Sequence, residues 1–80
     1  MKAIIHITLK EGVLDPQGKA INVSLNNMGF EKIEDVRQGK FFEIEINNSN
    51  KTDVYSDVDN MCKQLLVNTV IENYKIDILD

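Results

Sequence analysis

Residues 10–20, with the sequence KEGVLDPQGKA, join a strand pattern to a helix pattern and thereby decide the order of the elements. Asp15 is a good N-cap, because its carboxylate can accept hydrogen bonds from the first free N–H groups of a helix. Pro16 suits the first helical position, where a missing N–H has no cost. The stretch therefore predicts that a strand ends near residue 10 and that a helix begins at Pro16.

The flanking sequence supports both elements. Apolar and polar residues alternate over residues 3–10, which is typical of a half-buried strand. Downstream, three apolar residues at steps of four and three predict the buried stripe of a helix that runs to about Met28. They are Ile21, Leu25 and Met28. Gly29 is predicted to end this helix as the left-handed C′ residue, with Phe30 folding back on Leu25.

The rest of the chain predicts three more strands and a second helix. Residues 32–38 indicate a weaker strand, followed by a turn or bulge at 38–40; its register is ambiguous, since Ile33 and Val36 cannot share one face of a regular strand. Residues 41–47 and 73–79 alternate clearly. A helix over 52–66 is predicted to bury Val54, Val58, Met61 and Leu65.

The predicted order β-α-β-β-α-β favours an α+β fold. An antiparallel sheet with one face covered by two helices is its economical packing, as in ferredoxin-like or related domains. The 80 residues fit a single domain spanning 1–80. A domain this small, without disulfide or metal staples, often gains stability by oligomerising, so self-association is expected.

Composition excludes several classes of function. A net charge of -4 argues against partners such as nucleic acid or anionic membranes. No apolar run approaches the roughly 20 residues that span a bilayer, and the N-terminus lacks a signal-peptide pattern. One cysteine allows no intramolecular disulfide, so we expect a reducing, cytoplasmic location.

Candidate catalytic groups are few and lack partners in the sequence. His6, the single histidine, alternates with the core residues of the first strand and points to the outer face of the sheet. Cys62 borders the stripe of the second helix and is expected to be a small core or core-edge residue. Glu43 and Glu45 fit the polar face of a two-sided strand. We therefore predict no catalytic, cofactor-binding or metal site.

Two features point to contacts with other chains. Ile4 and Phe41 are expected to project with His6 from the outer sheet face, where association with another copy would cover them. Gly18 is unusual in the first turn of a helix, where glycine costs up to ~1 kcal/mol relative to alanine. Either fraying is tolerated there, or another backbone or subunit approaches closely.

Three segments together resemble the PurS family, the small subunits of bacterial and archaeal formylglycinamide ribonucleotide amidotransferase. The first segment is residues 10–20. The second is residues 29–43, within which Gly29-Phe30, the run DVRQGK at 35–40 and Glu43 match the family. The third is residues 62–74. Thr69 departs from the pattern, because the family commonly has proline after the asparagine. The resemblance covers nearly the whole chain.

The resemblance implies a non-catalytic adaptor in purine biosynthesis. Such subunits form a homodimer or tetramer and bridge a large synthetase subunit (PurL) and a glutaminase subunit (PurQ), assisting ammonia transfer between them. The synthetase uses ATP and Mg, and the small subunit binds no cofactor of its own. The alternative is a freestanding regulatory domain of ferredoxin-like architecture that binds a small ligand; an independent enzyme is the weakest interpretation.

Matching the motif to this chain implies two contact elements for the other subunits. The first is the helix entry, formed by Asp15, Pro16, Gln17 and Gly18. The second is the predicted turn with Arg37, Gly39 and Lys40, where Arg37 would form charge-assisted bonds to a partner. A helix cap and a strand turn explain the same residues without any partner.

Overall fold

A computed structural model describes all 80 residues and contains three strands and two helices. The strands are β1 (Lys2–Leu9), β2 (Gly39–Glu45) and β3 (Glu72–Leu79). The helices are α1 (Pro16–Asn27) and α2 (Lys51–Met61), the latter continued by a π-turn at Cys62–Leu66. The sheet has the order β2-β1-β3 with both pairs antiparallel, which confirms the predicted α+β class.

Both ends of α1 form as the sequence predicts. The Asp15 carboxylate accepts a hydrogen bond of 2.8 Å from the Gly18 N–H, and Pro16 occupies the first turn. At the other end, Gly29 has a φ of 102°, which glycine adopts without strain. The Phe30 N–H donates to the Leu25 carbonyl at 3.0 Å, closing the C-terminal turn.

The core lies between α2 and one face of the sheet, which we call the inner face. Ala3, Ile5 and Ile7 of β1 point into it. They meet three fully buried residues of the second helical segment at steps of four, Val54, Val58 and Cys62. Side chains of β2 and β3 flank them, since Ile5 lies opposite both Phe42 and Ile76.

The C-terminal end of the buried stripe of the second helix was predicted wrongly. Met61 is 38% exposed and Leu65 is 83% exposed, whereas Cys62 is fully buried. The buried row advances in steps of four from Val54 to Cys62, which carries Met61 to the edge of the contact. The π-turn then widens the helix, with the Val67 N–H donating to the Cys62 carbonyl at 2.9 Å.

The strand predicted at 32–38 and the turn at 38–40 do not form. The chain runs back along α1 without regular structure, with the Asn22 amide donating to the Glu34 carbonyl at 3.2 Å. It then enters β2 directly at Gly39, which pairs with Thr8. No neighbouring strand lies beside residues 32–38 in this chain, so the weak strand pattern has no partner for its backbone groups.

Only α2 covers the sheet, which corrects the prediction that both helices do so. α2 packs on β3 and β1, whereas α1 makes no comparable contact with any strand. We call residues 10–38 the arm. They project from the end of the sheet, because no turn folds α1 onto the sheet. The molecule measures 48 × 26 × 14 Å, and its radius of gyration is 16.1 Å. Neither helix is long and apolar enough to cross a membrane.

Candidate interaction surfaces

The arm leaves the sheet at a junction, the arm root, that Asp15 holds together. One carboxylate oxygen of Asp15 accepts from the Gly18 N–H at 2.8 Å, and the other accepts from the Gln38 N–H at 2.7 Å. The hydrogen bond from Gln38 is the largest cause that holds the pKa of Asp15 below its usual value, and the bond from Gly18 follows. The nearby charge of Arg37 lowers this pKa further. One side chain therefore ties the outgoing chain to the returning chain.

Arg37 adds a second tie across the same junction. Its guanidinium donates to the Val13 carbonyl at 3.2 Å, to the Lys10 carbonyl at 3.2 Å and to the Leu9 carbonyl at 3.4 Å. These carbonyls belong to the end of β1 and to the turn that follows it. Arg37 thus fixes the path of the chain between β1 and α1.

Two glycines permit close backbone approach at the arm root. A Cβ on Gly18 would lie 2.2 Å from the Val36 carbonyl oxygen and 2.6 Å from an Asp15 carboxylate oxygen. A Cβ on Gly39 would lie 2.3 Å from the Ile7 carbonyl oxygen. The close neighbour expected at Gly18 is therefore the returning segment of its own chain.

The remaining candidates complete the junction. Gln17 accepts a hydrogen bond of 2.7 Å from the Gln38 side chain, beside the exposed Pro16. Lys40 forms an ion pair of 3.2 Å with Glu72, whose carboxylate also accepts from the Asn68 N–H at 2.7 Å. That backbone hydrogen bond is the main reason why the pKa of Glu72 is lowered.

The structure thus brings together all seven residues predicted as partner contacts. They are Asp15, Pro16, Gln17, Gly18, Arg37, Gly39 and Lys40. Their contacts lie within the chain and set the direction of the arm. Contact with other subunits stays a prediction for these residues.

The outer sheet face carries the residues predicted for self-association. His6 and Phe41 are cross-strand partners, and their rings meet edge to face with centroids 5.1 Å apart. Phe41 is 54% exposed, and Ile4 is half-buried. The predicted placement is confirmed, while the self-association stays a prediction.

A polar contact that the sequence analysis missed links α2 to β3. The Tyr74 hydroxyl donates to the Asp59 carboxylate at 2.5 Å, and Lys63 lies 2.9 Å from the same carboxylate. The bond to Asp59 and burial raise the pKa of Tyr74 to about 12. The spacing of Asp59 and Lys63 by four residues signalled their ion pair, but no local pattern signalled Tyr74.

No nucleophile is activated in this structure. Cys62 is fully buried, and burial, followed by the Asp59 charge, raises the pKa of its thiol. His6 lies on the opposite face of the sheet from Cys62. No group of three or more His, Cys, Asp or Glu side chains converges to hold a metal ion.

Exposed apolar side chains lie in two parts of the chain, and three of them, Ile21, Met28 and Leu65, were predicted to lie on buried helix stripes. One lies on the arm and includes Ile21, Met28 and Phe30, which are 41%, 71% and 56% exposed. The other includes Leu65 and Val70, which are 83% and 79% exposed. Contiguous exposed apolar patches mark contacts with other molecules, so both sets of residues are candidate binding surfaces.

Comparison with known proteins finds one family that matches nearly the whole chain. Residues 2–80 match the family model described as "PurS: Phosphoribosylformylglycinamidine (FGAM) synthase". The chain is 43% identical over 77 residues to the PurS subunit of phosphoribosylformylglycinamidine synthase from Bacillus subtilis, covering 96% of this chain and 90% of that protein. The corresponding subunit from Methanocaldococcus jannaschii is 40% identical over 77 residues, covering 96% and 93%.

Solved structures show the same fold. A crystal form of B. subtilis PurS superposes with a TM-score of 0.88 at 42% identity, covering 99% of this chain and 98% of that one. A chain in the structure of PurLQS from Thermotoga maritima gives a TM-score of 0.88 at 32% identity, covering 98% and 95%.

Proposed function

This chain belongs to the PurS family, and we propose that it acts as the non-catalytic adaptor of phosphoribosylformylglycinamidine synthase. Family members are subunits of this synthase, a ligase complex of purine biosynthesis, and PurS occurs in a PurLQS complex in T. maritima. The proposal is that this chain bridges the synthetase subunit PurL and the glutaminase subunit PurQ and assists ammonia transfer. The full-length similarity is the observation that carries it.

The chemistry of the surface supports an accessory role. An acyl-transfer or ligase site needs a nucleophile or base within hydrogen-bonding reach of its partner. Here the buried thiol of Cys62 and the exposed ring of His6 lie on opposite faces of the sheet. Exposed apolar side chains of this kind suit a protein that binds other proteins. They are Ile21, Met28 and Phe30 on the arm, and Leu65 and Val70 after α2.

We infer that the chain self-associates, that it operates in the cytoplasm, and that it binds no cofactor itself. ATP and Mg are used by the synthetase subunit. The free, buried Cys62 is compatible with a reducing compartment.

Reconstitution tests the proposal directly. The purified chain is mixed with the matching PurL and PurQ, and glutamine-dependent formation of formylglycinamidine ribonucleotide is measured with and without it. The adaptor function predicts activity only when all three are present. If the chain neither changes activity nor enters a complex, with nucleotide and glutamine supplied, the proposal is wrong. Thermal stabilisation by a small ligand without any partner would instead favour the regulatory domain.

Arg37→Ala tests the arm root as a contact for the other subunits. Removing a charge-assisted hydrogen bond to a partner should weaken complex assembly about tenfold. Lys32→Ala is the matched control, because Lys32 is an exposed cation of the same arm without an ion pair or side-chain hydrogen bond. Thermal melts followed by circular dichroism show whether loss of the bonds to the Val13 and Lys10 carbonyls also lowers the stability of the chain. Equal assembly of both variants would contradict the assignment.

A further inference from the structure

A short segment at the end of the second helical region presents apolar side chains that its own chain does not cover. Leu65 and Val70 are 83% and 79% exposed. Between them, Leu66 packs against the core and Val67 belongs to it, so the segment is anchored to the rest of the molecule. We call residues 65–71 the knuckle. None of them is charged, and a lack of charge is typical of the buried centre of a protein interface.

Hydrogen bonds fix the path of the knuckle, which distinguishes it from the scattered apolar side chains of any protein surface. The Asn68 carbonyl accepts from the Ile71 N–H at 3.1 Å and from the Glu72 N–H at 2.8 Å. The Asn68 side chain accepts from the Val70 N–H at 3.2 Å, and the Asn68 N–H donates to the Glu72 carboxylate at 2.7 Å. These hydrogen bonds all converge on Asn68 and hold the turn closed.

The knuckle is also tied to the elements on both sides of it. The Val67 N–H donates to the Cys62 carbonyl at 2.9 Å, which closes the π-turn. The Lys10 N–H donates to the Ile71 carbonyl at 2.8 Å. A segment that is already held in place loses little conformational freedom when it binds. Its apolar side chains are therefore preorganised to act as anchors in a pocket of another protein.

The concave surfaces of the chain itself do not match these anchors. Leu65 and Val70 protrude, so a surface that removes them from water has to be concave and apolar. Five concavities of about 240–480 Å³ open on this chain, and none has more than two apolar residues in its lining. Pockets that take apolar groups are lined predominantly by apolar side chains. A second copy is therefore a poor match, and an unlike chain is the better one.

We propose that the knuckle inserts Leu65 and Val70 into a concave apolar pocket of an unlike subunit of the synthase. The inference rests on the proposed function, which supplies the unlike subunits. Lys10 connects the knuckle to the arm root, because its N–H donates to Ile71 and its carbonyl accepts from Arg37 at 3.2 Å. The knuckle thus continues the surface at which the sequence predicts contacts with the other subunits.

Leu65→Ser and Val70→Ser test the proposal in the complete assembly, with nucleotide and glutamine supplied. Both side chains already lie mostly in water, so neither substitution should change the Tm or the oligomeric mass of the isolated chain. Each should raise the Kd of this chain for the mixture of PurL and PurQ at least about tenfold, because each removes an apolar side chain that is buried on binding. Gln64→Ser is the matched control, since Gln64 is a polar, exposed residue of the same π-turn. It should bind like the parent.

The outcomes separate this inference from the adaptor function. If the parent assembles and both Leu65→Ser and Val70→Ser bind as tightly as the parent, the inference is wrong and the adaptor function stands. If the parent binds neither PurL nor PurQ, both are wrong. A smaller oligomeric mass for Leu65→Ser and Val70→Ser in the absence of other subunits would show that a second copy covers the knuckle, and this would also overturn the inference.

Discussion

Asp15 accepts two backbone hydrogen bonds with one carboxylate, and this makes the arm root sensitive to acid. The bonds from Gln38 and Gly18 hold the pKa of Asp15 below its ordinary value of 3.8 in the folded chain. A carboxyl with a lowered folded pKa stabilises the fold above its unfolded pKa, and the stabilisation disappears as the pH falls through the folded pKa. The difference in Tm between the parent and Asp15→Asn should be constant near pH 7 and shrink below about pH 4.

Asp57→Asn is the control for this experiment. Asp57 is exposed on α2 and has no side-chain hydrogen bond, yet its substitution changes the net charge equally. Thermal melts followed by circular dichroism should show a smaller and flatter difference for Asp57→Asn. A difference for Asp15→Asn that stays constant down to about pH 3 would contradict the bridging role.

Gly18 reverses the usual effect of alanine in a helix. Alanine is favoured over glycine by about 1 kcal/mol in helix interiors. A Cβ at position 18 would however lie 2.2 Å from the Val36 carbonyl oxygen, which is backbone and cannot rotate away. Gly18→Ala should therefore lower the free energy of unfolding by about 1–3 kcal/mol, the usual cost of overpacking. Denaturant unfolding measures it.

Ser24→Ala provides the comparison at an exposed position of α1, where no atom of the chain opposes the higher helix propensity of alanine. It should leave the free energy of unfolding unchanged or slightly raised. A stabilising effect of Gly18→Ala would mean that residues 36–38 do not lie against the helix in solution.

The caps of α1 could be predicted from the sequence because they depend on neighbours within a few residues. The Asp15 cap, Pro16 and the left-handed Gly29 all form as expected. The second hydrogen-bond partner of Asp15 could not be predicted, because Gln38 lies 23 residues away along the chain. A hydrogen bond between this carboxylate and a distant N–H depends on the tertiary structure, which no local sequence pattern encodes.

At the scale of elements, α2 is attached to β3 by a polar contact at the edge of the core. Since the bond to Asp59 raises the pKa of Tyr74 to about 12, the hydroxyl stays protonated at pH values where an ordinary phenol, with a pKa of 10.0, has ionised. A raised folded pKa adds stability below the unfolded value, and this stability is lost as the pH rises through about 12.

A spectrophotometric titration of tyrosinate measures this directly. Tyr74→Phe should remove the step near pH 12, and Tyr55→Phe should leave it in place. Circular dichroism over the same range reports whether the chain is still folded. Survival of that step in Tyr74→Phe would show that Asp59 does not hold this hydroxyl in solution.

Three strands and both helices could be predicted because hydrophobic period determines them locally. The strand at 32–38 could not be settled in this way, because a strand exists only beside another strand. Its two apolar residues, Ile33 and Val36, also fail to share a face. The same holds for the apolar stripes of the two helices, Ile21–Met28 and Val54–Leu65. The period of the apolar residues predicts which side of a helix is apolar, but not which other surface covers that side.

At the scale of the whole molecule, the core lies between α2 and the sheet of a particle that is 48 Å long. β1 and α2 supply it, while the arm contributes no residue to it. The element order predicts α1 over the sheet, because two helices on one face of an antiparallel sheet is the economical packing of β-α-β-β-α-β. The structure leaves one stripe uncovered, which is the arrangement expected of a chain that is completed by association.

A fold completed by a second copy should melt at a temperature that depends on its concentration. Dissociation and unfolding are then coupled, and mass action stabilises the pair by RT ln 10 for each tenfold increase in protein. With an unfolding entropy of about 2.1 cal/mol/K per residue over two chains of 80, this raises Tm by about 4 °C per tenfold increase. Ile21→Asp, on the uncovered stripe of α1, should abolish the dependence, whereas Val23→Asp, on the opposite side of that helix, should retain it. A parent Tm that is constant over a hundredfold range, about 10⁻⁶ to 10⁻⁴ M, would mean that the sheet and α2 unfold independently of the arm.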